Sequence, residues 1–433
     1  MDSITIGVLS ILALLVLLGA GLPVAITMTL VGFLSYLIIA GFQPAMGMMG
    51  MIPFSSLAHD TFTVVPMFVL MGAIAFRGGL GEVIYRFARN WVGHYHGGLA
   101  IATVLGCACF GALSGSSLAC AATIGRIALP EMKKYSYSPS LAAGSVVAAG
   151  PLAAMIPPSI LMVIYASLTE TSVGKMLIAG IIPGVMTAII YSITIYTLSV
   201  IKPVLGPPAA RVSRMEKLIS VKQNWGILVV FMVVVGGIYS GVCTSTEAGA
   251  LGAAAALFVV VISKGFSLRF FKETLSDTAK TIGILFFIYV GAMFFSYQFG
   301  ISRIPFIFAD WLVKLELPPM LVLIFIMVMY LILGTFMDTL AMVVLTMPII
   351  FPIVVALKFD PIWFGILVVQ NCEIGMFTPP FGITLFAVQS VAPDLQAKEL
   401  IAGIWPFLIA GVISLAILIY FPGIALFLPN LMK

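Results

Sequence analysis

The sequence predicts an all-α polytopic membrane protein of two inverted-topology repeats, each with a re-entrant helical hairpin and a broken transmembrane helix. Hydrophobic residues make up 62% of the 433 positions and charged residues only 9%, too few polar groups to cover a water-soluble globule. Apolar runs of membrane-spanning length recur along the whole chain. Glycine, serine and proline interrupt some of these runs, and the interruptions recur at a constant spacing.

The first half of the chain begins with two helices within 4–40, which Gly19, Gly21 and Pro23 separate. A polar interval follows. The arm after the next span combines arginines with aromatic residues, as in a helix lying in the membrane interface. The predicted ranges are a polar interval at 42–61, a span at 62–76 and an interfacial arm at 77–97.

The apolar segment 98–129 carries Gly-Ala-Leu-Ser-Gly-Ser-Ser-Leu-Ala (111–119) at its centre. Lipid tolerates such a break at mid-depth only where protein or water covers it, so we predict a re-entrant hairpin. The next helix, 138–168, is expected to be broken at Gly150-Pro151 and at Pro157-Pro158, because consecutive prolines remove amide donors. A span at 176–201 closes this half.

The second half repeats this outline with different residues at the breaks. The predicted ranges are spans at 225–239, 242–262 and 282–295, a basic connector at 263–280, an amphipathic arm at 300–317, a hairpin at 320–351 interrupted at 334–339, a broken helix at 361–392 interrupted at 371–382, and a last span at 401–428.

A shift of 222 positions relates the two halves. Pro130, Pro139, Pro157 and Pro158 recur at this distance as the prolines 352, 361, 379 and 380, and the same shift places Ser116 on Asp338 and Ser117 on Thr339. We therefore predict a first repeat at 1–205, a cytoplasmic linker at 206–223 and a second repeat at 224–433.

The basic residues predict the orientation of these repeats. If the hairpins do not cross, each half has five crossings, and an odd number inverts the second half relative to the first. With the linker in the cytoplasm, sixteen of the 21 Lys and Arg residues lie on the cytoplasmic side and five on the other. This bias follows the positive-inside rule and predicts that both termini are extracytoplasmic.

Inverted repeats with broken helices are typical of transporters, which hold substrate and ions near the membrane midplane. The hydroxyl, carboxylate and backbone oxygens at the breaks are ligands that a small hard cation such as sodium accepts. We predict two cation sites. In the first site, the tip of the first hairpin faces the break at 150–159. In the second site, the tip of the second hairpin faces the break at 371–382. The tip residues are Ser114, Gly115, Ser116 and Ser117 in the first half and Gly334, Thr335, Asp338 and Thr339 in the second.

Several single polar residues could have either a functional or a structural role. Asp338 is a carboxylate at the predicted midplane, where an unpaired charge costs about 3 kcal/mol, so we interpret it as functional. For Glu373, a functional and a structural role are left equal. We interpret Glu247 as a helix cap and the five cysteines as buried hydrophobic residues without zinc or redox spacing.

Several ordered motifs resemble one known family over nearly the whole chain. They are Gly-Ala-Leu-Ser-Gly-Ser-Ser-Leu-Ala (111–119), Ile-Gly (124–125), Leu-Pro-Glu-Met (129–132), Ile-Pro-Pro-Ser-Ile (156–160), Thr-Ser-Thr-Glu-Ala (244–248), Gly-Thr-Phe-Met-Asp (334–338) and Thr-Pro-Pro-Phe-Gly (378–382). Together they resemble the large membrane subunit of TRAP (tripartite ATP-independent periplasmic) transporters. One departure is local: members of the family often have Thr-Pro-Thr-Glu at 244–247.

The resemblance implies an elevator-type symporter in the bacterial inner membrane, and not an enzyme. Two or more sodium ions would drive uptake of a small organic anion such as sialic acid, a dicarboxylate or a keto acid. The expected partners are a small four-span membrane subunit on a separate chain, a periplasmic binding protein that delivers the substrate, and membrane lipid; nucleic acid is not expected.

The resemblance also implies site residues. Sodium ligands are expected at Ser114, Ser116, Gly150 and Pro157 for one ion, and at Gly334, Asp338, Gly375, Thr378 and the carbonyl near Phe381 for the other. Residues expected to border the substrate are Ser116, Ser117, Pro158, Ser159, Thr339, Pro380 and Gly382.

Three other interpretations stay open at this point. One is a sodium–anion symporter that works without a binding protein. The second is an intramembrane enzyme using Asp338 or Glu373, although the sequence offers no second residue for a catalytic pair. The third is a channel, which duplicated hairpins of opposite topology disfavour.

Overall fold

The computed structural model describes residues 2–58, 60–265, 267–305, 307, 317–379 and 381–432, with the side chains of residues 60 and 61 left out. Regular structure within these residues is helical throughout. Five helices are long and apolar enough to cross a membrane by length and composition, and three bent helix pairs meet the same test. The chain is therefore an all-helical polytopic membrane protein.

The helices of the first half follow the predicted order. Their bounds are Ser3–Gly19, Val24–Ala40, Phe42–Leu57, Asp60–Arg77, Leu80–Val92 (the arm helix), Gly98–Ser114 and Ser117–Lys134 (the first hairpin), Pro139–Ala149, Leu152–Met155 and Ile160–Leu168 (the first broken helix), Val173–Ala179, Ile181–Ile201 and Arg214–Gln223.

The second half begins with Trp225–Phe231, which continues through a π-helical turn at Met232–Gly236 to Gly237–Tyr239. The bounds that follow are Ser245–Lys264, Leu268–Ser302, Pro319–Gly334 and Thr339–Ala356 (the second hairpin), Pro361–Phe377 and Ile383–Val391 (the second broken helix), Ala397–Tyr420 and Gly423–Leu431.

The predicted polar interval at 42–61 is wrong, because residues 42–57 form a helix. Its buried residues Ala45, Met48 and Ile52 recur at helical spacing and form one apolar face. Met48 and Ile52 pack with Phe294 of the long helix Leu268–Ser302. This face escaped the sequence reasoning because glycines lie between its members, at 47 and 50.

The predicted connector at 263–280 and span at 282–295 belong largely to one helix of 35 residues, Leu268–Ser302. Its charged first turns form one ion pair at helical spacing and two with the first half of the chain. Arg269 pairs with Glu273, and Arg77 of the first half pairs with both Glu273 and Asp277. Of the predicted arm at 300–317, residues 306 and 308–316 lie outside the described residues.

The helix boundaries of the hairpins and broken helices follow the 222-position shift. The second helix of the first hairpin spans Ser117–Lys134, and its counterpart spans Thr339–Ala356, so start and end both keep the shift. The broken helices begin at Pro139 and Pro361, again at that distance. Pro139 and Pro361 thus begin helices at the predicted spacing, whereas Pro130 and Pro352 lie inside helices.

Candidate functional site

The first hairpin tip forms because the chain reverses at Gly115. This glycine adopts a left-handed conformation, φ 59°, at the end of one helix. Ser116 then caps the next helix, its side chain accepting from the Ala119 amide at 3.5 Å. A methyl group built on Gly115 would lie 2.8 Å from the Pro158 carbonyl oxygen. The hairpin tip and the break of the first broken helix therefore face each other, as predicted.

Ser114 supplies an uncommitted oxygen at this tip. Its side chain is 6% exposed, and its hydroxyl has no hydrogen-bond partner in the described part of the chain. A buried hydroxyl without a partner is costly unless something else satisfies it. The residue therefore fits a cation ligand.

The remaining first-half residues line the same junction. Gly150 lies close to Ser117: a methyl group built on this glycine would be 3.1 Å from the Ser117 carbonyl oxygen. Pro157 and Pro158 are joined by a cis peptide bond. Ser159 is fully buried and caps the helix Ile160–Leu168 by accepting from the Met162 amide at 3.3 Å. The structure thus brings the hairpin tip and the proline break into one cluster of hydroxyl and carbonyl groups.

The second hairpin tip is built around Asp338. This residue caps the helix Thr339–Ala356, and its carboxylate accepts from the Leu340 amide at 3.1 Å. The capping bond engages only part of the acceptor capacity of a carboxylate, which can accept about four hydrogen bonds. Asp338 therefore keeps lone pairs for a cation.

Two glycines bring the second hairpin against the second broken helix. A methyl group built on Gly334 would lie 2.8 Å from Gly375 Cα and 3.3 Å from the Cys372 carbonyl oxygen. Asn371 Nδ2 also donates to the Met327 carbonyl of the hairpin. This close approach places backbone oxygens of both elements near the break.

The break of the second broken helix is narrower than predicted. The helix Pro361–Phe377 continues through Asn371, Glu373 and Gly375, so the interruption covers only 378–382. The predicted break was wrong for 371–377, because the helix carries Asn371 and Glu373 with polar partners on the two hairpins: Asn371 donates to the Met327 carbonyl, and Ser117 donates to Glu373.

The break itself carries four of the predicted residues. The Thr378 hydroxyl donates to the Ile374 carbonyl at 2.7 Å. The half-exposed Phe381 packs against Phe336 of the hairpin tip, with ring centroids 5.2 Å apart. Gly382 has φ 43° and precedes the last helical segment. Pro380 lies outside the described residues.

Glu373 connects the two halves of the site. It is 2% exposed, and the Ser117 hydroxyl donates to its Oε2 at 2.7 Å. Its Oε1 has no hydrogen-bond partner among the described residues. Sequence reasoning left Glu373 undecided because its partner lies 256 positions away.

Thr384 was missed by the sequence reasoning. Its side chain is fully buried, and its hydroxyl has no hydrogen-bond partner within the described ranges. It lies two residues after Gly382, in the helix that packs on the first hairpin through Val391 and Gly125. Threonines are common in membrane helices, so spacing alone did not single it out.

Glu247 lies apart from these clusters and has the predicted capping role. Thr244 and Glu247 form a reciprocal capping box at the start of the helix Ser245–Lys264. The five cysteines, all described, are unpaired, and Cys107, Cys120 and Cys372 are buried as expected. The expectation was wrong for Cys109, which is exposed, and for Cys243, which is half-buried.

Comparison with known proteins gives a consistent result. The family described as tripartite ATP-independent periplasmic transporter, DctM component, matches residues 11–424. A C4-dicarboxylate TRAP transporter large permease protein of Pseudomonas aeruginosa is 40% identical over 87% of this chain and 88% of that protein. A sialic acid TRAP transporter large permease protein of Vibrio cholerae is 33% identical over 98% of both.

An isethionate TRAP transporter permease protein of Oleidesulfovibrio alaskensis is 32% identical over 95% of this chain, which covers 64% of that longer protein. Among solved structures, the YdaH transporter of Alcanivorax borkumensis matches with a TM-score of 0.63 over 88% of this chain and 90% of that chain. Its sequence identity is 14%, so the likeness concerns the fold alone.

Proposed function

The chain belongs to the DctM family of TRAP transporter large permeases, which are secondary transporters of organic acids and not enzymes, and from this premise we propose sodium-coupled uptake of a small organic anion. Two sodium ions bind at the two hairpin tips and are carried with the substrate. Sodium moving down its gradient and the membrane potential supplies about 2.3 kcal/mol per charge per 100 mV. The observation that carries the proposal is the pairing of each hairpin tip with a helix break.

The donor set supports sodium as the coupling ion. The first tip offers the unpartnered Ser114 hydroxyl and the Pro158 carbonyl beside Gly115. The second offers the Asp338 carboxylate and the carbonyls around Gly334 and Gly375. Sodium, a hard cation, prefers such oxygens to nitrogen or sulfur ligands.

An elevator movement of the hairpins and broken helices as one unit completes the proposal. Contacts between these elements support this movement, because each hairpin packs against a broken helix of its own half and of the other half. Gly111 packs against Ala153, Gly125 against Val391, and Ser117 bonds to Glu373. The last long helix joins this unit, since a methyl group on Gly403 would lie 2.0 Å from the Ser140 carbonyl oxygen.

The inverted arrangement of the two repeats belongs to the same proposal. The shared helix boundaries and the sixteen-to-five division of basic residues support it. Membership of the family supports a bacterial membrane, and the proposed orientation, with its cytoplasmic excess of Lys and Arg, places the chain in the inner one.

The substrate class and the partners are proposed from the relatives. They are named as transporters of C4-dicarboxylates, sialic acid, isethionate and ectoine, most of them small organic anions. In the longer isethionate relative, this chain matches only part of the protein. We propose that a separate small membrane subunit and a periplasmic binding protein complete the transporter here.

The test is uptake into liposomes that contain the full chain and its small subunit. Radiolabelled C4-dicarboxylate, sialic acid and isethionate are offered with their binding proteins, in sodium, potassium or choline buffer. We expect accumulation of one substrate only with sodium outside and only with its binding protein. Uptake that is equal in potassium or choline would refute sodium coupling. Sodium-dependent uptake without any binding protein would instead support the stand-alone symporter.

A further inference from the structure

Glu373 has no counterpart in the first half. The 222-position shift places it on Pro151, so the two halves differ in chemistry at this position. It is 2% exposed in the helix Pro361–Phe377. A buried carboxyl group inside a membrane protein is expensive and is retained where it serves a function.

This carboxyl group joins the first hairpin to the second broken helix. The Ser117 hydroxyl of the first hairpin donates to Glu373 Oε2 at 2.7 Å. Ser117 is the first residue of the second helix of its hairpin, and Glu373 belongs to the helix Pro361–Phe377. The bond therefore connects the first hairpin tip with the element that faces the second hairpin.

These contacts link the two cation sites. Ser117 follows the proposed ligand Ser116, while Glu373 lies two residues before Gly375, and a methyl group built on Gly375 would lie 2.7 Å from Gly334 Cα of the second hairpin. A cation at the first tip fixes the backbone around Ser116 and hence the hydroxyl of Ser117. That hydroxyl orients Glu373, which faces the second site.

We propose that Glu373 is the positioning residue that couples the two hairpin tips, so that sodium bound at one tip prepares the other. This inference rests on the proposed function and adds cooperativity to it. Glu373 acts through its bond to Ser117 and its place beside Gly375, and it need not touch sodium itself. Coupling of this kind is reciprocal, because each site changes the affinity of the other by the same factor.

The experiment measures initial uptake rates against sodium concentration for the full chain in liposomes, with its small subunit and binding protein. Ser117→Ala removes the hydroxyl that links the hairpin to Glu373, and Glu373→Gln keeps the shape but removes the charge. We expect the Hill coefficient to fall from about 2 to about 1 and half-saturating sodium to rise about fivefold or more. Transport by both variants should still require sodium.

Ser414→Ala is the matched control. Ser414 is fully buried and accepts from Gln370 Nε2 at 2.9 Å, so it also bonds to a side chain of Pro361–Phe377, less than one turn from Glu373. Its other partner is Thr187 of Ile181–Ile201, and neither residue belongs to a hairpin. Loss of this hydroxyl should leave the Hill coefficient unchanged.

The outcomes separate this inference from the proposed function. Sodium-independent uptake by the unmodified protein refutes the proposed function itself. Sodium-dependent uptake with a Hill coefficient of about 1 in the unmodified protein, or an unchanged coefficient in Ser117→Ala, overturns the coupling alone. If Glu373→Gln does not accumulate in the membrane, Ser117→Ala decides the question by the same criterion.

Discussion

At the scale of single residues, a comparison of two aspartates separates helix capping from the proposed binding of a cation. Asp338 and Asp360 both cap helices by accepting from backbone amides two residues ahead. Asp338 lies at a hairpin tip between apolar helices, whereas Asp360 lies at an exposed helix start. A cap alone needs no charge, because asparagine caps about as well as aspartate. In the proposed function, the charge of Asp338 serves the cation and not the cap.

Asp338→Asn should keep the helix start and lose the sodium site. We expect half-saturating sodium for uptake to rise at least about tenfold, equivalent to about 1.4 kcal/mol of lost binding. The measurement is sodium-dependent uptake in liposomes, after checking that the variant inserts in normal amounts. Asp360→Asn, which removes a capping charge away from the site, should behave as the unmodified protein. Normal sodium dependence in Asp338→Asn would remove this carboxylate from the site.

At the scale of helical elements, close glycine contacts hold each hairpin on its broken helix. A methyl group on Gly111 would lie 2.4 Å from Ala153 Cα, and one on Gly334 would lie 2.8 Å from Gly375 Cα. Lipid supplies no hydrophobic drive for helices to associate, so small residues that allow close packing contribute much of the stability. Because backbone atoms form these contacts, a side chain can be accommodated only if a whole helix moves.

Gly111→Ala should therefore destabilise the folded protein by about 1–3 kcal/mol, the usual cost of overpacking. The matched control is Gly283→Ala in the long helix Leu268–Ser302, where a methyl group meets nothing within 4 Å. Alanine there should be neutral or stabilise by up to about 1 kcal/mol, from helix propensity. Thermal unfolding in detergent compares the two. Equal melting temperatures for both variants would show that the Gly111 contact does not limit packing.

The sequence predicts most elements where a local pattern marks them. Prolines and glycines placed the hairpins and broken helices, because these residues change backbone geometry wherever they stand. The helix Phe42–Leu57 was missed because its apolar residues are interrupted along the sequence. The sequence also does not show which helix packs against them. The Ser117–Glu373 bond could not be predicted either, because it joins residues far apart in the chain.

At the scale of the whole molecule, both halves of the chain contribute to one polar centre. Each half contributes a hairpin and a broken helix, and contacts such as Gly125 with Val391 cross between the halves. The arrangement leaves most other helices outside this centre, where exposed apolar side chains suit lipid. Movement of the centre relative to these outer helices would expose it alternately to either side of the membrane.

The proposed inversion predicts the topology directly. A phosphatase that folds only outside the cytoplasm should be active when fused after residue 432 and inactive when fused after Ser213 in the linker. A fluorescent protein that matures only in the cytoplasm should give the opposite pattern at the same two positions. Equal activity of the phosphatase at both positions would contradict an odd number of crossings between them.

The central claim is that sodium travels with the substrate, and the most direct measurement follows both fluxes in one preparation. Liposomes containing the full chain, its small subunit and binding protein receive radioactive sodium and differently labelled substrate without an imposed voltage. The account predicts that substrate drives sodium entry, with more than one sodium ion for each substrate molecule, and that Asp338→Asn lowers both fluxes together at a sodium concentration that half-saturates the unmodified protein. Substrate entry without any accompanying sodium entry would contradict it.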